Sequence, residues 1–210
     1  MPRPPEQPAA RAKTAVMILA AGGSRRLGRP KQLLPYGGGV LLDAVLATAR
    51  AVGFAQAVLV LGASAAEVQA TVDTSGFDIV LNADFGDGCS SSIAAGMAAL
   101  HPDTDAVVLL LGDQPGVRAS TVRALPAALF GAAGAGIAVC RYDGGAGHPI
   151  AFARRLFPEL AALHGDKAVW KLLEQRAEDV VALGVPGPVP PDVDTDEDYR
   201  RILAGQERVL

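Results

Sequence analysis

The residues best suited to chemistry crowd one glycine-rich stretch, Leu19-Ala20-Ala21-Gly22-Gly23-Ser24-Arg25-Arg26-Leu27-Gly28-Arg29-Pro30-Lys31. Glycine tolerates positive φ and close ligand approach, so successive backbone N–H groups can turn inward and hold phosphate oxygens. Arg26 and Lys31 add charge-assisted contacts. A lone loop of this composition reads first as a solvated surface turn. Its exit from the apolar run at 15–19 and its spaced cations favour a triphosphate site. Two familiar phosphate loops fail on spacing. A dinucleotide fingerprint needs Gly-x-Gly-x-x-Gly, whereas Gly22 and Gly23 are adjacent and the next glycine is Gly28. Asp43 stands at a tempting distance downstream but in a predicted helix. A Walker A loop would follow Gly28 with Lys-Ser/Thr, and the chain has Arg29-Pro30.

Two carboxylates are candidates for a shared cation. Asp113 follows the apolar run 107–111 and Gly112, which places it at the carboxyl end of a strand, where ligands of open α/β sheets collect. Mg²⁺ suits such a carboxylate because it prefers oxygen, takes few protein ligands and keeps positions for phosphates and water. The bland alternative is a turn aspartate. Asp194 lies in Asp192-Val193-Asp194-Thr195-Asp196-Glu197-Asp198, where Asp194 or Thr195 equally suits a helix cap and the following acids suit a first turn.

Other polar positions stay divided between structure and binding. Asn82, Ser91, Ser92 and Gly96 lie in or before a predicted helix, where the serines either cap it or face a nucleotide. His148 in Gly147-His148-Pro149 either orients a substrate or bridges backbone groups. His101 and His164 read as solvated helix-end residues. Gly165-Asp166-Lys167 reads as a C-cap glycine followed by a new N-cap, in preference to ligand contact.

Taken together, Leu19-Ala20-Ala21-Gly22 with Ser24, Arg26, Gly28 and Lys31, then Gly112-Asp113-Gln114-Pro115, Gly147-His148-Pro149 and Asp192-Val193-Asp194-Thr195, resemble the MobA-like NTP transferases. The similarity runs in order over about residues 15 to 204 and is nearest to the molybdenum cofactor cytidylyltransferase (MocA-like) branch. The resemblance implies a Rossmann-like three-layer α/β fold with a mostly parallel mixed sheet, and Mg²⁺ held by Asp113 and Asp194. With the residue reading above, the candidate nucleotide site is Leu19, Ala20, Ala21, Gly22, Gly23, Ser24, Arg26, Lys31 and Asp113, joined by Asn82, Ser91, Ser92 and Gly96 if the serines face the nucleotide and do not merely cap the helix. Arg26, Lys31 and Asp113 form its catalytic set, and Gln114, Pro115 and His148 its acceptor site. Leu-Ala-Ala-Gly points to CTP, where guanylyltransferase relatives more often carry Leu-Ala-Gly-Gly. The implied acceptor is molybdopterin, with a recipient molybdoenzyme as a possible partner. One departure is Gly165-Asp166-Lys167-Ala168-Val169-Trp170, where many relatives continue Gly-Ala-Arg. Rival readings are a guanylyltransferase, a transferase for another phosphorylated acceptor, a non-catalytic cofactor carrier, and a reductase built on the same fold.

The elements that position these residues follow a βαβ rhythm. Short apolar runs at 15–19, 57–61, 77–81, 107–111 and 137–139 lack polar alternation, as strands covered on both faces do. Helical patterns fall at 41–52, 64–72, 90–100 and 119–130, with Pro126 expected to kink or end the last. Further helices are predicted at 154–163, 166–177 and 195–204, and a short strand at 180–183. Residues 184–191 read as a Pro/Gly-rich linker whose acidic continuation returns to the site. The proline-rich residues 1–14 read as a mobile tail, and 15–210 as one domain.

Bulk properties narrow the partners. The 210 residues are half hydrophobic, enough for one substantial core. A net charge of -3 argues against nucleic acid. Cys89 and Cys140 are too few and too distant for a disulfide framework, and no run approaches the roughly 18 apolar residues of a membrane helix. The expectation is a soluble cytoplasmic protein without an export signal.

Overall fold

The computed structural model describes residues 12–206. In chain order, β1 (Thr14–Ala20) leads through the glycine loop to a small hairpin of β2 (Pro35–Tyr36) and β3 (Gly39–Val40). Next come α1 (Leu41–Val52), β4 (Gln56–Leu61), α2 (Ala65–Thr71), β5 (Asp78–Leu81) and α3 (Cys89–Ala98). They are followed by β6 (Ala106–Leu111), α4 (Ala119–Gly131), β7 (Ile137–Tyr142) and β8 (Gly145–Ala153). The chain ends with α5 (Phe157–Ala161), α6 (Ala168–Gln175), β9 (Val180–Gly184) and α7 (Asp196–Gln206).

The seven-stranded sheet has the order β5-β4-β1-β6-β8-β7-β9. All neighbouring pairs are parallel except those made by β8, which runs against β6 and β7. Alternate side chains of each strand feed two cores. Val16, Ile18 and Ala20 pack with residues of α1, α2 and α4, while Ala15 and Met17 pack with α3, α5 and α6. Helices therefore cover both faces, the three-layer Rossmann-like arrangement expected of near-continuous apolar strands. From β1 the chain steps to β4 and β5 on one side, then crosses to β6 on the other. The crevice at the carboxyl ends of β1 and β6 is the topological switch point, where α/β sheets bind ligands.

Several local expectations need correction. Thr14 opens β1 and Lys13 pairs with Asp103, so the expected tail is shorter at its inner end, while residues 1–11 lie outside the described chain. Helix α4 neither ends nor breaks at Pro126, because Val122, Leu125 and Leu129 hold both halves against the sheet. The helix predicted at 154–163 divides into a 3-10 turn and α5, since Pro158 has no N–H to continue the ladder. Residues 184–191 are a packed strap: Val185 is buried and bonds Arg141, and Gly187 exchanges bonds with Asp143.

Two elements escaped the sequence reading. Gly37 and Gly38, both at positive φ, form the two-residue turn of the β2–β3 hairpin. Strand β8 contains Gly145, Gly147 and Pro149, residue types that ordinarily interrupt strands. Its pairing to β7 jumps from Val139↔Ile150 to Cys140↔Gly147, leaving His148 and Pro149 in a bulge. A proline fits there because no ladder N–H is needed. Among the described residues, no helix is long and apolar enough to cross a membrane.

Candidate active site

Two glycines let the strand ends close around the exit of β1. A Cβ on Gly112 would lie 2.8 Å from the Ala20 Cβ, and one on Gly62 would lie 2.5 Å from the Ala21 carbonyl oxygen. The Gly112 N–H donates to Leu19 O at 2.9 Å, which brings Asp113 beside the glycine loop. Within that loop Ser24, at φ 49, is a hub. Its carbonyl accepts from the N–H groups of Leu27 and Gly28, and its hydroxyl accepts from Lys31 N at 3.0 Å. Those three N–H groups bond inside the loop and are not offered to a ligand, which corrects a fully inward-turned cradle. Gln32, 2% exposed, braces the loop from below with bonds to Ala20 O and Gly22 O.

Charge is concentrated where the loop meets the C-terminal segment. The Lys31 Nζ donates to Asp113 Oδ2 at 2.5 Å and to Asp194 Oδ1 at 2.9 Å. Arg26 donates to Asp194 Oδ2 at 2.7 Å, and Arg29 pairs with Asp196. Burial lowers the Lys31 pKa, but the charges and hydrogen bonds of Asp113 and Asp194 outweigh it and raise the value overall. Desolvation acts to raise Asp194, and its bonds to Lys31 and Arg26 overcome that and hold the carboxyl below the usual range. Asp192 moves the other way, raised by burial and by Asp113.

The segment 192–195 reaches the site because Val193 is fully buried with Leu27, Leu34, Leu41 and Ile202. In extended chain, residues on either side of a buried one share the opposite face, so Asp192 and Asp194 both turn toward the cavity. Thr195, and not Asp194, makes the cap of α7: its N–H and hydroxyl donate to Asp198 Oδ2, and Asp198 N–H donates back to the hydroxyl. Asp194 is thereby left for the site.

A cavity of about 660 Å³ lies over these groups. Of the expected nucleotide and metal residues it is bordered by Leu19, Ala20, Ala21, Gly22, Arg26, Lys31, Ser92, Asp113 and Asp194, and His148 joins them from the β8 bulge. Gly23, Ser24, Asn82, Ser91, Gly96 and Pro115 border neither this cavity nor the smaller one beside it. Gly96 faces away, because α3 packs so closely that a Cβ there would lie 2.5 Å from Met17 Sδ. Asn82 donates to Ser91 and Ser92 and accepts from Asp84 N, a bracket between β5 and α3. Gln114 is 4% exposed and donates to Pro190 O and to Asp192. Asp43 accepts from Val40 N at the start of α1, a capping role.

Gln32, Phe85, Cys89 and Trp170 also border the large cavity and were not expected there, and so do Asp166 and Lys167, for which capping had been preferred to ligand contact. Asp166 caps α3 instead of its own helix, accepting from Cys89 N at 3.0 Å. That contact spans 77 residues of sequence and leaves no local signal. The Cys89 thiol is pushed up to about 11 by burial and by Asp166, so it is no nucleophile at neutral pH. Burial depresses His148 to about 4, and its ring meets Trp170 edge-on at 5.5 Å.

Among the described residues no cluster of three or more His, Cys, Asp or Glu side chains forms a metal cage. Asp113 and Asp194 nevertheless meet at one ammonium, so the pair converges on a single cation-sized point. Two carboxylates beside a cavity fit a divalent ion that draws its remaining ligands from phosphate and water.

The fold is that of a nucleotidyltransferase. The chain belongs to the MobA-like NTP transferase domain family, which it matches over residues 16–180. It is 35% identical over 195 residues to nicotine blue oxidoreductase of Paenarthrobacter nicotinovorans, covering 89% of this chain and 95% of that protein. The crystal structure of the Rv0371c homolog from Mycobacterium sp. strain JC1 is 48% identical with TM-score 0.87, covering 94% of this chain and 98% of that one. The manganese complex of Rv0371c from Mycobacterium tuberculosis H37Rv is 43% identical with TM-score 0.82, covering 92% and 99%.

Proposed function

We propose that this chain is a Mg²⁺-dependent cytidylyltransferase that moves CMP from CTP to the terminal phosphate of molybdopterin and releases pyrophosphate. The observation that carries the reading is the meeting of Asp113, Lys31 and Asp194 at the mouth of the glycine loop. Ala20 and Ala21 on the cavity wall supply the Leu-Ala-Ala-Gly sequence associated with CTP.

In this reading the triphosphate lies along Gly22 with its β,γ-phosphates near Arg26 and Lys31, which offset the charge gathering on pyrophosphate as it leaves. Asp113 and Asp194 would hold Mg²⁺, which when bound neutralises phosphate charge and aligns the two reactants. An oxygen of the acceptor phosphate attacks the α-phosphorus. The new P–O bond forms as the bond to the β-phosphate oxygen breaks, and that oxygen keeps the electron pair. The nucleophile is already anionic, so no general base is required; neutral His148 orients the acceptor and moves no proton. A reaction consuming CTP and passing its product to a molybdoenzyme belongs in the cytoplasm.

A redox role is favoured by one observation, the oxidoreductase name of the relative at 35% identity. The spacing of Gly22, Gly23 and Gly28 speaks against a dinucleotide turn. Incubation with Mg²⁺, each NTP and molybdenum cofactor, with pyrophosphate and NAD(P)H followed in parallel, separates the two: pyrophosphate release supports transfer, and NAD(P)H oxidation alone replaces it.

A further inference from the structure

Among the described residues the buried apolar side chains form three clusters, and the smallest stands apart from the two that flank the sheet. It joins Leu27 of the glycine loop, Leu34, Leu41 at the start of α1, Val193 and Ile202, with Tyr36 and Tyr199 packed against it. The same few side chains therefore hold two stretches of the site, since Leu27 follows Arg26 and Val193 precedes Asp194. We propose that α7 is a clamp that docks on this small core as a unit less stable than the sheet, and that Tyr199 and Ile202 are positioning residues holding Asp194 beside Asp113. The positioning roles rest on the reading of Asp113 and Asp194 as metal ligands, and the clamp does not.

On the sheet side the acidic segment is stitched down by hydrogen bonds. The Val193 N–H donates to Asp113 O at 3.3 Å, and Gln114 Nε2 donates to Pro190 O at 3.1 Å. Beyond Asp194 the chain is fixed by α7, because Thr195 caps that helix through Asp198 and ties the direction of its neighbour to where the helix sits. Among the described side chains of α7 only Ile202 is buried, at 8% exposure, and the Tyr199 hydroxyl donates to Pro35 O at 2.6 Å. Neither Tyr199 nor Ile202 borders the large cavity or the smaller one beside it, so both act on the site through Asp194.

So few buried apolar contacts set the cost of local opening below that of the strands, whose side chains fill the two large cores. The rest of the hold in the ligand-free chain is ionic: Lys31 and Arg26 on Asp194, and Arg29 on Asp196. A cation taken up by Asp194, with a triphosphate taken up by Arg26 and Lys31, dissolves both pairs to Asp194. Docking then depends on the small core and on the metal itself. A metal that binds only the docked state draws α7 toward that state, and its apparent affinity scales with the fraction of chains already docked.

Hydrogen–deuterium exchange of the intact chain, read peptide by peptide in a mass spectrometer, tests the clamp, and Mn²⁺ affinity by electron paramagnetic resonance tests the positioning. In the ligand-free protein α7 should exchange faster than α1 and β6, and Mn²⁺ with CTP should slow it. Ile202→Ala should speed exchange in α7, leave α1 and β6 unchanged, and weaken Mn²⁺ binding by about tenfold. Ile202→Val should restore most of that affinity, and Tyr199→Phe, which loses only the bond to Pro35, should act in the same direction as Ile202→Ala but less. Turnover of Ile202→Ala should recover at saturating Mg²⁺, as a shifted docking equilibrium requires and a damaged sheet would not allow. Exchange in α7 as slow as in β6 in the ligand-free chain overturns the clamp. Unchanged Mn²⁺ affinity in an Ile202→Ala chain whose α7 exchanges faster overturns the positioning roles. A wild-type chain that binds no Mn²⁺ removes the metal reading and the positioning roles with it, while fast exchange confined to α7 still supports the clamp. The wild-type exchange decides on the clamp even if a variant fails to fold.

Discussion

The Lys31 ammonium lies 2.5 Å from Asp113 Oδ2 and 2.9 Å from Asp194 Oδ1, at the point where both carboxylates would grip a divalent cation. A cation entering there must displace Lys31, and an arriving triphosphate gives that ammonium a new anion. Metal and nucleotide should therefore bind with positive coupling, each raising the affinity of the other by the same factor. Mn²⁺ binding followed by electron paramagnetic resonance, with and without CTP, measures the factor. Equal Mn²⁺ affinity in both conditions would count against it.

Lys31→Ala should separate the two roles of the side chain. Without the ammonium the free protein should hold Mn²⁺ more tightly, while CTP binding weakens by on the order of 1.5–3 kcal/mol, as for a lost charge-assisted bond. Titrations of the folded variant with each ligand check both directions. Unchanged CTP affinity would return Lys31 to a purely structural role.

Nucleotide choice should favour CTP over GTP, given Ala20 and Ala21 on the cavity wall. Competition between the two in a pyrophosphate assay decides it, and equal or faster turnover with GTP would reassign the base.

His148 makes stability depend on pH. Its folded pKa of about 4 is below the unfolded value of 6.5, so the unfolded chain takes the proton first as pH falls. The stabilising contribution is complete above pH 6.5 and is lost as pH falls toward 4, by on the order of 2 kcal/mol for a partly withdrawn ring. Melting curves of wild type and His148→Gln across that window should converge on acidification. Parallel curves would show that the imidazole is not held neutral.

Much of this arrangement was legible from local pattern. Continuous apolar runs marked β1, β4 and β6, and the placement of Asp113 after one of them followed from strand length alone. Asp192 was not among the expected carboxylates; it joins the cavity because burial of Val193 turns both of its acidic neighbours one way. What was not legible depended on distant contacts. Nothing near Asp166 indicates that it caps α3, and nothing near Gly96 distinguishes a binding glycine from one that lets a helix approach Met17. Strand β8 was obscured because the glycines and proline that build its bulge are the residues that ordinarily end strands.

The most direct measurement is pyrophosphate release by Asp113→Asn, compared with wild type at matched melting temperatures across a Mg²⁺ titration. The amide keeps the shape of the side chain and removes the charge that draws the cation. Turnover should fall by orders of magnitude, because each ~1.4 kcal/mol of lost transition-state stabilisation is a factor of ten. Asp194→Asn should be milder, its side chain being 39% exposed against 14% for Asp113. A folded Asp113→Asn protein that turns over like wild type at low Mg²⁺ would contradict the metal assignment and the transfer chemistry built on it.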